Sequence, residues 1–147
     1  MSRAYLGIGS NLDPERNVRA ALAELRRALN VLAISTFYRT RPIGREGDPE
    51  FINGVIAVEE NGAGSALERE VLRPIEARLG RQRSEDRDAP RPIDVDLLLT
   101  ERASGLKTEA TPPRLREIES RAFIAWPLCE LLPSLVLPDG QPIAKVA

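Results

Sequence analysis

PRPIDVDLLLT, residues 90–100, has the composition of a buried strand that carries two carboxylates. Its isoleucine, valine and leucines favour a strand, whereas Asp94 and Asp96 do not. Because alternate side chains of a strand lie on the same face, the two carboxylates should project together. Like charges that close repel each other, so we expect cations beside the face that carries them.

Length and composition indicate one globular domain, predicted to span residues 1–147. Hydrophobic residues make up 42% and charged residues 29%, and 21 basic residues nearly balance 22 acidic ones. The net charge of −1 argues against a general nucleic-acid or membrane surface. No apolar stretch is long enough to predict a membrane span or a signal peptide. We therefore expect a cytoplasmic enzyme or binding domain.

The sequence contains no histidine and one cysteine, Cys129. The commonest general base and a zinc site built from cysteine and histidine are thereby excluded. Any metal is expected to be a hard cation, such as magnesium, manganese or calcium, held by oxygen ligands.

The predicted elements through residue 100 follow the order β-α-β-β-α-β. This order is the split βαβ, or ferredoxin-like, pattern, an α+β fold with an antiparallel sheet and both helices on one face. A loop-rich C-terminal extension, with one helix near 121–131, is expected beside the other face. Pro74 falls inside the second helix and predicts a kink, or a loss of roughly 3 kcal/mol. The predicted strands span 3–9, 31–38, 51–59 and 92–100.

An arginine-rich segment precedes the acidic strand, with six arginines between residues 73 and 91. Paired carboxylates hold one or two Mg²⁺ ions that clamp phosphate oxygens, and arginines bind the remaining oxygens and the charge of the transition state. Phosphoryl-type transfer needs positioning and charge neutralisation more than a strong base, which suits a chain without histidine. The alternative is that Asp94 and Asp96 are solvated on an exposed edge or are paired with arginine.

A polar residue, Asn53, interrupts the third predicted strand and shares a face with Phe51. A buried amide needs hydrogen-bond partners. The partner is either a nearby backbone group or a flat, hydrogen-bonding heterocycle beside the aromatic ring. Phe123 is either a second stacking ring for such a ligand or a core aromatic residue.

Taken together, these segments resemble the 6-hydroxymethyl-7,8-dihydropterin pyrophosphokinase family of folate biosynthesis. The acidic strand is the most specific part. The family signature there is Ala or Gly, a residue such as Pro, then Arg, two further residues, Asp-x-Asp and two aliphatic residues. The resemblance rests on AYLGIGSNL (4–12), STFYRTRPIG (35–44), FINGVIAVE (51–59), RDAPRPIDVDLLL (87–99) and RAFIAWPLCELLPSLVLPDG (121–140).

The resemblance implies a monomeric enzyme that transfers diphosphate from ATP to the pterin hydroxymethyl group and releases AMP. By position, Asp94 and Asp96 would bind two Mg²⁺ ions, and Arg81 and Arg91 would be catalytic residues that act on the phosphates. The implied pterin contacts are Thr40, Ile43, Phe51, Asn53 and Phe123. The implied ATP contacts are Glu76, Arg81, Arg83, Arg91, Leu97, Thr111, Arg114 and Arg121.

Two positions depart from the usual family pattern. Asp88 stands where the family often has Trp, which bears on how the arginine-rich loop closes over the pterin. Arg114 and Leu115 stand where the family often has His-Tyr, which bears on the ATP contacts.

Two other functions are compatible with the same fold. A palm-type nucleotidyl transferase also combines paired aspartates with two metals, although it usually presents a basic face to nucleic acid. A non-catalytic module would bind a small ligand and turn over nothing. Conversion of ATP to AMP only in the presence of the pterin separates these possibilities.

Overall fold

The computed structural model describes residues 2–40, 51–60, 64–80, 92–102, 108–110 and 122–131. The strands of this part of the chain are β1 Ser2–Ser10, β2 Val31–Ile34, β3 Tyr38–Thr40, β4 Phe51–Glu60, β5 Asp94–Arg102 and β6 Thr108–Ala110. The helices are α1 Pro14–Ala28, α2 Gly64–Leu67, α3 Arg73–Arg78 and α4 Ala122–Leu131. A π-helical segment, π1, spans Glu68–Leu72 and joins α2 to α3. None of the described helices combines the length and the apolar character that a membrane crossing requires.

β1 is the central strand of the sheet. β4 lies on one side of β1 and β5 on the other, and both are antiparallel to it. β2 and β3 pair with β4, and β6 pairs with β5, again antiparallel. The α+β class with an antiparallel sheet is therefore confirmed. The finer ferredoxin-like order stays a prediction, because β3 and β6 extend the sheet beyond the four predicted strands.

The strand predicted at 31–38 is divided into β2 and β3. Between them, the Val55 amide donates to the Ser35 hydroxyl at 2.9 Å and the Thr36 amide donates to Glu130 Oε2 at 2.9 Å. Phe37 packs over Gly54, where a Cβ would overlap its ring. Side-chain hydrogen bonds thus take the place of some backbone hydrogen bonds between strands. The alternation of apolar and polar residues in the sequence does not predict this.

One face of the sheet packs beneath α1, π1 and α3. The alternation of strand residues sends every second apolar side chain to this face. The helices contribute residues at intervals of three and four, as amphipathic helices do. The cluster contains Ala4, Leu6, Ile8, Val18, Ala21, Leu25, Ile52, Ile56, Val58, Leu67, Leu72, Ile75, Ile93, Val95 and Leu97.

A change of helical type accommodates Pro74. α3 continues π1 without a break, because Leu72 and Arg73 both have helical dihedral angles and the Arg73 amide donates to the Glu68 carbonyl oxygen five residues before it. Pro74 follows this junction directly, and the wider π turn leaves more room ahead of the proline ring. The predicted disturbance is therefore present as a π segment.

The opposite face of the sheet is partly covered by α4, which packs against β4 and β3. Leu128 of α4 is fully buried. Glu130 fastens the helix, because its carboxylate accepts hydrogen bonds from the Thr36 amide and the Tyr38 hydroxyl. The rest of the predicted C-terminal extension, residues 132–147, lies outside the described residues.

Candidate active site

A row of four directly paired residues crosses the face opposite α1 and α3. Tyr38 pairs with Asn53, Asn53 with Gly9, and Gly9 with Asp94. Directly opposite residues of antiparallel strands point to the same face. Asn53 and Asp94 are two strand spacings apart, which is about 10 Å. The predicted pterin-reading amide and a predicted metal ligand therefore lie on one surface.

The two carboxylates of β5 lie on this same face, as the alternation of strand residues predicts. Asp94 and Asp96 are half-buried, whereas Val95 and Leu97 are buried on the helix side. Asp96 pairs with Gly7 of β1, and Gly7 lies under the side chain of Leu98.

Gly9 leaves room for the side chain of Asn53, because a Cβ on Gly9 would overlap Asn53 Oδ1. Among the buried side-chain polar atoms of the described ranges, Asn53 Nδ2 has no hydrogen-bond partner. An unsatisfied buried donor costs about 1–3 kcal/mol. This unpaired donor favours an amide that reads a ligand over one that pairs with the nearby backbone.

One further predicted pterin contact, Phe51, lies beside Asn53. Phe51 is two residues away on the same face of β4, its side chain is half-buried, and it pairs across the strands with Thr40 of β3. Phe123 is placed in the first turn of α4, the helix that packs on these strands. Ile43 lies outside the described residues.

Sequence reasoning misses Tyr38, which stands directly opposite Asn53. Its hydrogen bond to Glu130 raises the pKa of the Tyr38 hydroxyl. The bonds from the Thr36 amide and then from Tyr38 lower the pKa of Glu130. The signal in the sequence is the position of Tyr38 two residues before Thr40, which places both on one face of a strand.

Glu76 holds the edge of β5 beside the two aspartates. It is 3% exposed, and its Oε2 accepts a hydrogen bond from the Val95 amide at 2.9 Å. β6 pairs only with the later part of β5, so no strand of the described ranges accepts a hydrogen bond from the Val95 amide on this edge. The Glu76 carboxylate accepts it instead. A direct ATP contact by Glu76 stays a prediction, while its bond to Val95 fixes the acidic strand.

Arg73 links Glu76 to Asp96. Its Nη1 donates to Glu76 Oε1, and its Nη2 lies 3.2 Å from Asp96 Oδ1. The same Nη2 is 3.6 Å from Glu68 Oε2. Burial alone would lower the pKa of Arg73, but the attraction of Glu76 and Asp96 outweighs it and raises that pKa, so the guanidinium remains charged. The pairing of Asp96 with an arginine, one of the two alternatives for this motif, is thus present.

Ser10 ties the end of β1 to the start of the acidic strand. Its buried hydroxyl lies 2.5 Å from the Pro92 carbonyl oxygen and 3.1 Å from that of Leu12. This contact sets the point at which the chain returns to the sheet just before Asp94. The Gly-Ser-Asn turn that resembles the family therefore has a structural role next to the carboxylates.

The donors at Asp94 and Asp96 suit a hard divalent cation, because both are half-buried carboxylates on one face. No group of three or more His, Cys, Asp or Glu in the described ranges is arranged to enclose a metal ion. Mg²⁺ is commonly held by one or two carboxylates, with water and substrate phosphates as its other ligands. The donor set therefore fits a metal that binds together with a nucleotide.

The remaining predicted ATP contacts divide into two groups. Leu97 is 2% exposed and packs in the core beneath the helices, so its side chain faces away from Asp94 and Asp96. The others lie outside the described residues, as do the two departures at Asp88 and Leu115. They are Arg81, Arg83, Arg91, Thr111, Arg114 and Arg121.

Comparison with known proteins agrees with this arrangement. Residues 5–133 match the model of the 7,8-dihydro-6-hydroxymethylpterin-pyrophosphokinase (HPPK) family. The 2-amino-4-hydroxy-6-hydroxymethyldihydropteridine pyrophosphokinase of Pseudomonas aeruginosa is 36% identical over 99% of this chain and 90% of its own length. The protein of the same name from Methylorubrum extorquens is 39% identical over 93% of this chain and 87% of its own. The folic acid synthesis protein fol1 of Schizosaccharomyces pombe is 34% identical over 97% of this chain but 20% of its own length. The chain is therefore an enzyme that belongs to the 7,8-dihydro-6-hydroxymethylpterin-pyrophosphokinase family.

Proposed function

We propose that the chain transfers diphosphate from ATP to the hydroxymethyl group of 6-hydroxymethyl-7,8-dihydropterin, with Mg²⁺ as cofactor, and releases AMP. The observation that carries the proposal is the Asn53 Nδ2 donor, which has no hydrogen-bond partner in the described ranges and belongs to a residue two strand spacings, about 10 Å, from Asp94 on one face of the sheet. A flat pterin bound by Asn53 would direct its hydroxymethyl group along this face toward β5.

The pterin end of the site is assigned to Asn53 and its neighbours. Asn53 Nδ2 would donate to an acceptor on the polar edge of the pterin, and so satisfy a buried donor. Phe51, on the same face, would stack on the ring. Gly9 keeps the surface between Asn53 and Asp94 free of a β1 side chain. Thr40, Ile43 and Phe123 complete this end of the proposal.

The phosphate end of the site is assigned to Asp94 and Asp96, which would hold two Mg²⁺ ions. Bound Mg²⁺ would neutralise phosphate charge and orient the phosphate chain. Arg81 and Arg91 would bind the phosphate oxygens and the charge that develops during transfer. The other proposed ATP contacts are Glu76, Arg83, Thr111, Arg114, Arg121 and Leu97, of which Leu97 would contact the nucleotide through its backbone, since its side chain is buried in the core.

The reaction forms a bond between the hydroxymethyl oxygen and the β-phosphorus of ATP. The bond from that phosphorus to the oxygen it shares with the α-phosphate breaks, and AMP leaves with this oxygen. The hydroxyl proton passes to solvent. Because positioning and charge neutralisation dominate such a transfer, the absence of histidine from the sequence is no obstacle. A ferredoxin-like core, indicated by the order of the predicted elements, a monomeric state and a cytoplasmic location complete the proposal.

The test is an assay of the purified protein with ATP and Mg²⁺, in which nucleotides are separated by chromatography. AMP is expected only when 6-hydroxymethyl-7,8-dihydropterin is added. The 6-methyl analogue, which lacks the accepting hydroxyl, is the matched control and should give no AMP. Release of free pyrophosphate together with nucleotide transfer would indicate a nucleotidyl transferase, and pterin binding without AMP would indicate a binding module. Either result would overturn the proposal.

A further inference from the structure

We propose that Arg73 is a built-in counter-cation of the acidic strand, which neutralises and positions Asp96 in the metal-free enzyme and yields it to the metal when nucleotide and Mg²⁺ bind. The inference rests on the proposed function only in taking Asp94 and Asp96 as the metal-binding pair.

The position of Arg73 allows one guanidinium to bridge the helix layer and the metal-binding face. It is the first residue of α3, beside the edge of β5. Its two terminal nitrogens divide their contacts, with Nη1 on Glu76 and Nη2 on Asp96. The side chains of Arg73 and Asp96 are each 25% exposed, and that of Glu76 is 3% exposed. Solvent therefore screens these charges only in part.

Arg73 keeps other negative partners if Asp96 turns to a metal. Glu76 is held in place by the Val95 amide and continues to accept from Arg73 Nη1. Glu68 lies 3.6 Å from Arg73 Nη2. Because neither glutamate belongs to the Asp-x-Asp pair, the release of Asp96 does not leave a half-buried guanidinium without a counter-charge.

The charge balance of the strand gives Arg73 its role. Two carboxylates on one face repel each other when no cation is near. Arg73 supplies one positive charge in the absence of metal, and the same charge repels a divalent cation that approaches Asp96. A metal that arrives alone must compete with Arg73, whereas one that arrives with a nucleotide brings phosphate ligands that strengthen its binding. Arg73 is therefore a positioning residue that couples metal binding to nucleotide binding.

The first test measures Mn²⁺ binding to the protein by electron paramagnetic resonance, without nucleotide or pterin. Arg73→Gln removes the charge but keeps an amide that can donate to Glu76. We expect this variant to bind Mn²⁺ about tenfold more tightly than the parent protein. Arg78→Gln is the matched control, because Arg78 lies on the same helix as Arg73, is 55% exposed and pairs at 2.9 Å with Glu24 of α1, away from the two aspartates. Its Mn²⁺ affinity should equal that of the parent, and equal affinities for the two variants would overturn the proposal.

The second test is a double-mutant cycle on the metal-free protein, with unfolding by denaturant in the presence of a chelator. It compares the parent, Arg73→Gln, Asp96→Asn and the double variant. The loss of stability caused by Arg73→Gln should be smaller in the Asp96→Asn background, because the pair is already broken there. Additive effects of the two substitutions would show that Arg73 does not stabilise Asp96, and would contradict the proposal.

A charge-conserving variant covers the case in which Arg73→Gln does not fold. Arg73→Lys keeps the positive charge but cannot offer a fork to Glu76 and Asp96 at once. Its Mn²⁺ affinity should stay close to that of the parent, while its coupling to Asp96 falls. A tenfold tightening of Mn²⁺ binding by Arg73→Lys would show that charge is not the cause.

These measurements contain neither ATP nor pterin, so they are independent of the catalytic assay. A coupled Arg73–Asp96 pair in a protein that makes no AMP would sustain the inference and refute the proposed function. AMP formation in a protein whose Arg73 and Asp96 are not coupled would support the proposed function and refute the inference.

Discussion

Gly9 and Asn53 act as a pair at the centre of the candidate site. The missing Cβ of Gly9 lets Asn53 Oδ1 lie over β1, and the amide nitrogen is left without a partner. The polarity of Asn53 within an apolar strand is visible in the sequence. Its proximity to Gly9 is not, because that contact depends on the register between β1 and β4.

Asn53→Ala is expected to weaken the binding of 6-hydroxymethyl-7,8-dihydropterin by about 1–3 kcal/mol, because the polar edge of the ligand loses its partner. Titration calorimetry measures the change. Asn30→Ala is the control, since Asn30 is exposed and donates to Glu59 at 2.8 Å. Equal pterin affinity for the parent and Asn53→Ala would show that Asn53 does not bind the pterin.

Gly9→Ala tests the same subsite without changing a polar group. The added methyl group should displace the Asn53 amide and weaken pterin binding by about tenfold, or about 1.4 kcal/mol. Gly7→Ala is the matched control in the same strand, because a Cβ there meets the flexible end of Leu98 at 3.3 Å. Mn²⁺ binding should be unchanged in both. If the two alanine variants bind pterin equally well, the contact between Gly9 and Asn53 has no part in recognition.

At the scale of elements, local patterns are predictable and the contacts between elements are not. The order of the elements predicts a helix between the first two strands, where α1 lies, and the alternation of residues in β5 predicts that both aspartates share one face. Asp13 stands at the N-cap of α1, but its backbone is left-handed, with a φ of 44°, and its side chain makes no capping hydrogen bond. The π segment before Pro74 and the reach of Arg73 to Asp96 depend on how α3 packs against the edge of β5, which no local pattern encodes.

The contact between α4 and β3 is expected to depend on pH at both ends of the scale. The lowered pKa of Glu130 means that its contribution is present above the ordinary value of 4.5 and is lost as the pH falls through the folded-state value. The raised pKa of Tyr38 means that its contribution is present below the ordinary value of 10.0 and is lost as the pH rises through the folded-state value.

Thermal unfolding of the parent and Glu130→Gln across this range measures the effect. Glu130→Gln should have the lower Tm at neutral pH, and the difference should shrink under strongly acidic and strongly alkaline conditions. Glu70→Gln, on an exposed side chain, is the control and should match the parent throughout. A Tm difference between the parent and Glu130→Gln that is the same at every pH would show that the ionised Glu130–Tyr38 contact does not stabilise the fold.

At the scale of the whole molecule, the sheet brings two separate parts of the sequence to one face. α1, π1 and α3 cover one side, and the other side, partly covered by α4, carries Asn53 from β4 and the two aspartates from β5, with β1 between them. The sequence resemblance predicts both groups, but their separation follows only from the strand order. The arginines of segment 81–91 remain predictions, since they lie outside the described residues.

Asp94→Asn and Asp96→Asn are expected to lower Mg²⁺-dependent turnover by orders of magnitude, because each removes an anionic ligand. Pterin affinity should change little, since Asn53 lies about 10 Å away. Steady-state assays of AMP formation and pterin titrations measure the two quantities. Near-normal turnover in either variant would place the metal elsewhere.

The central claim is that both terminal phosphates move together from ATP to the pterin. ATP labelled with ³²P at the β-phosphate tests it most directly, with 6-hydroxymethyl-7,8-dihydropterin as acceptor and separation of the products. The account predicts that the label appears in the pterin product and that unlabelled AMP is formed in equal amount. Label that remains in ADP, with one phosphate on the pterin, would contradict it.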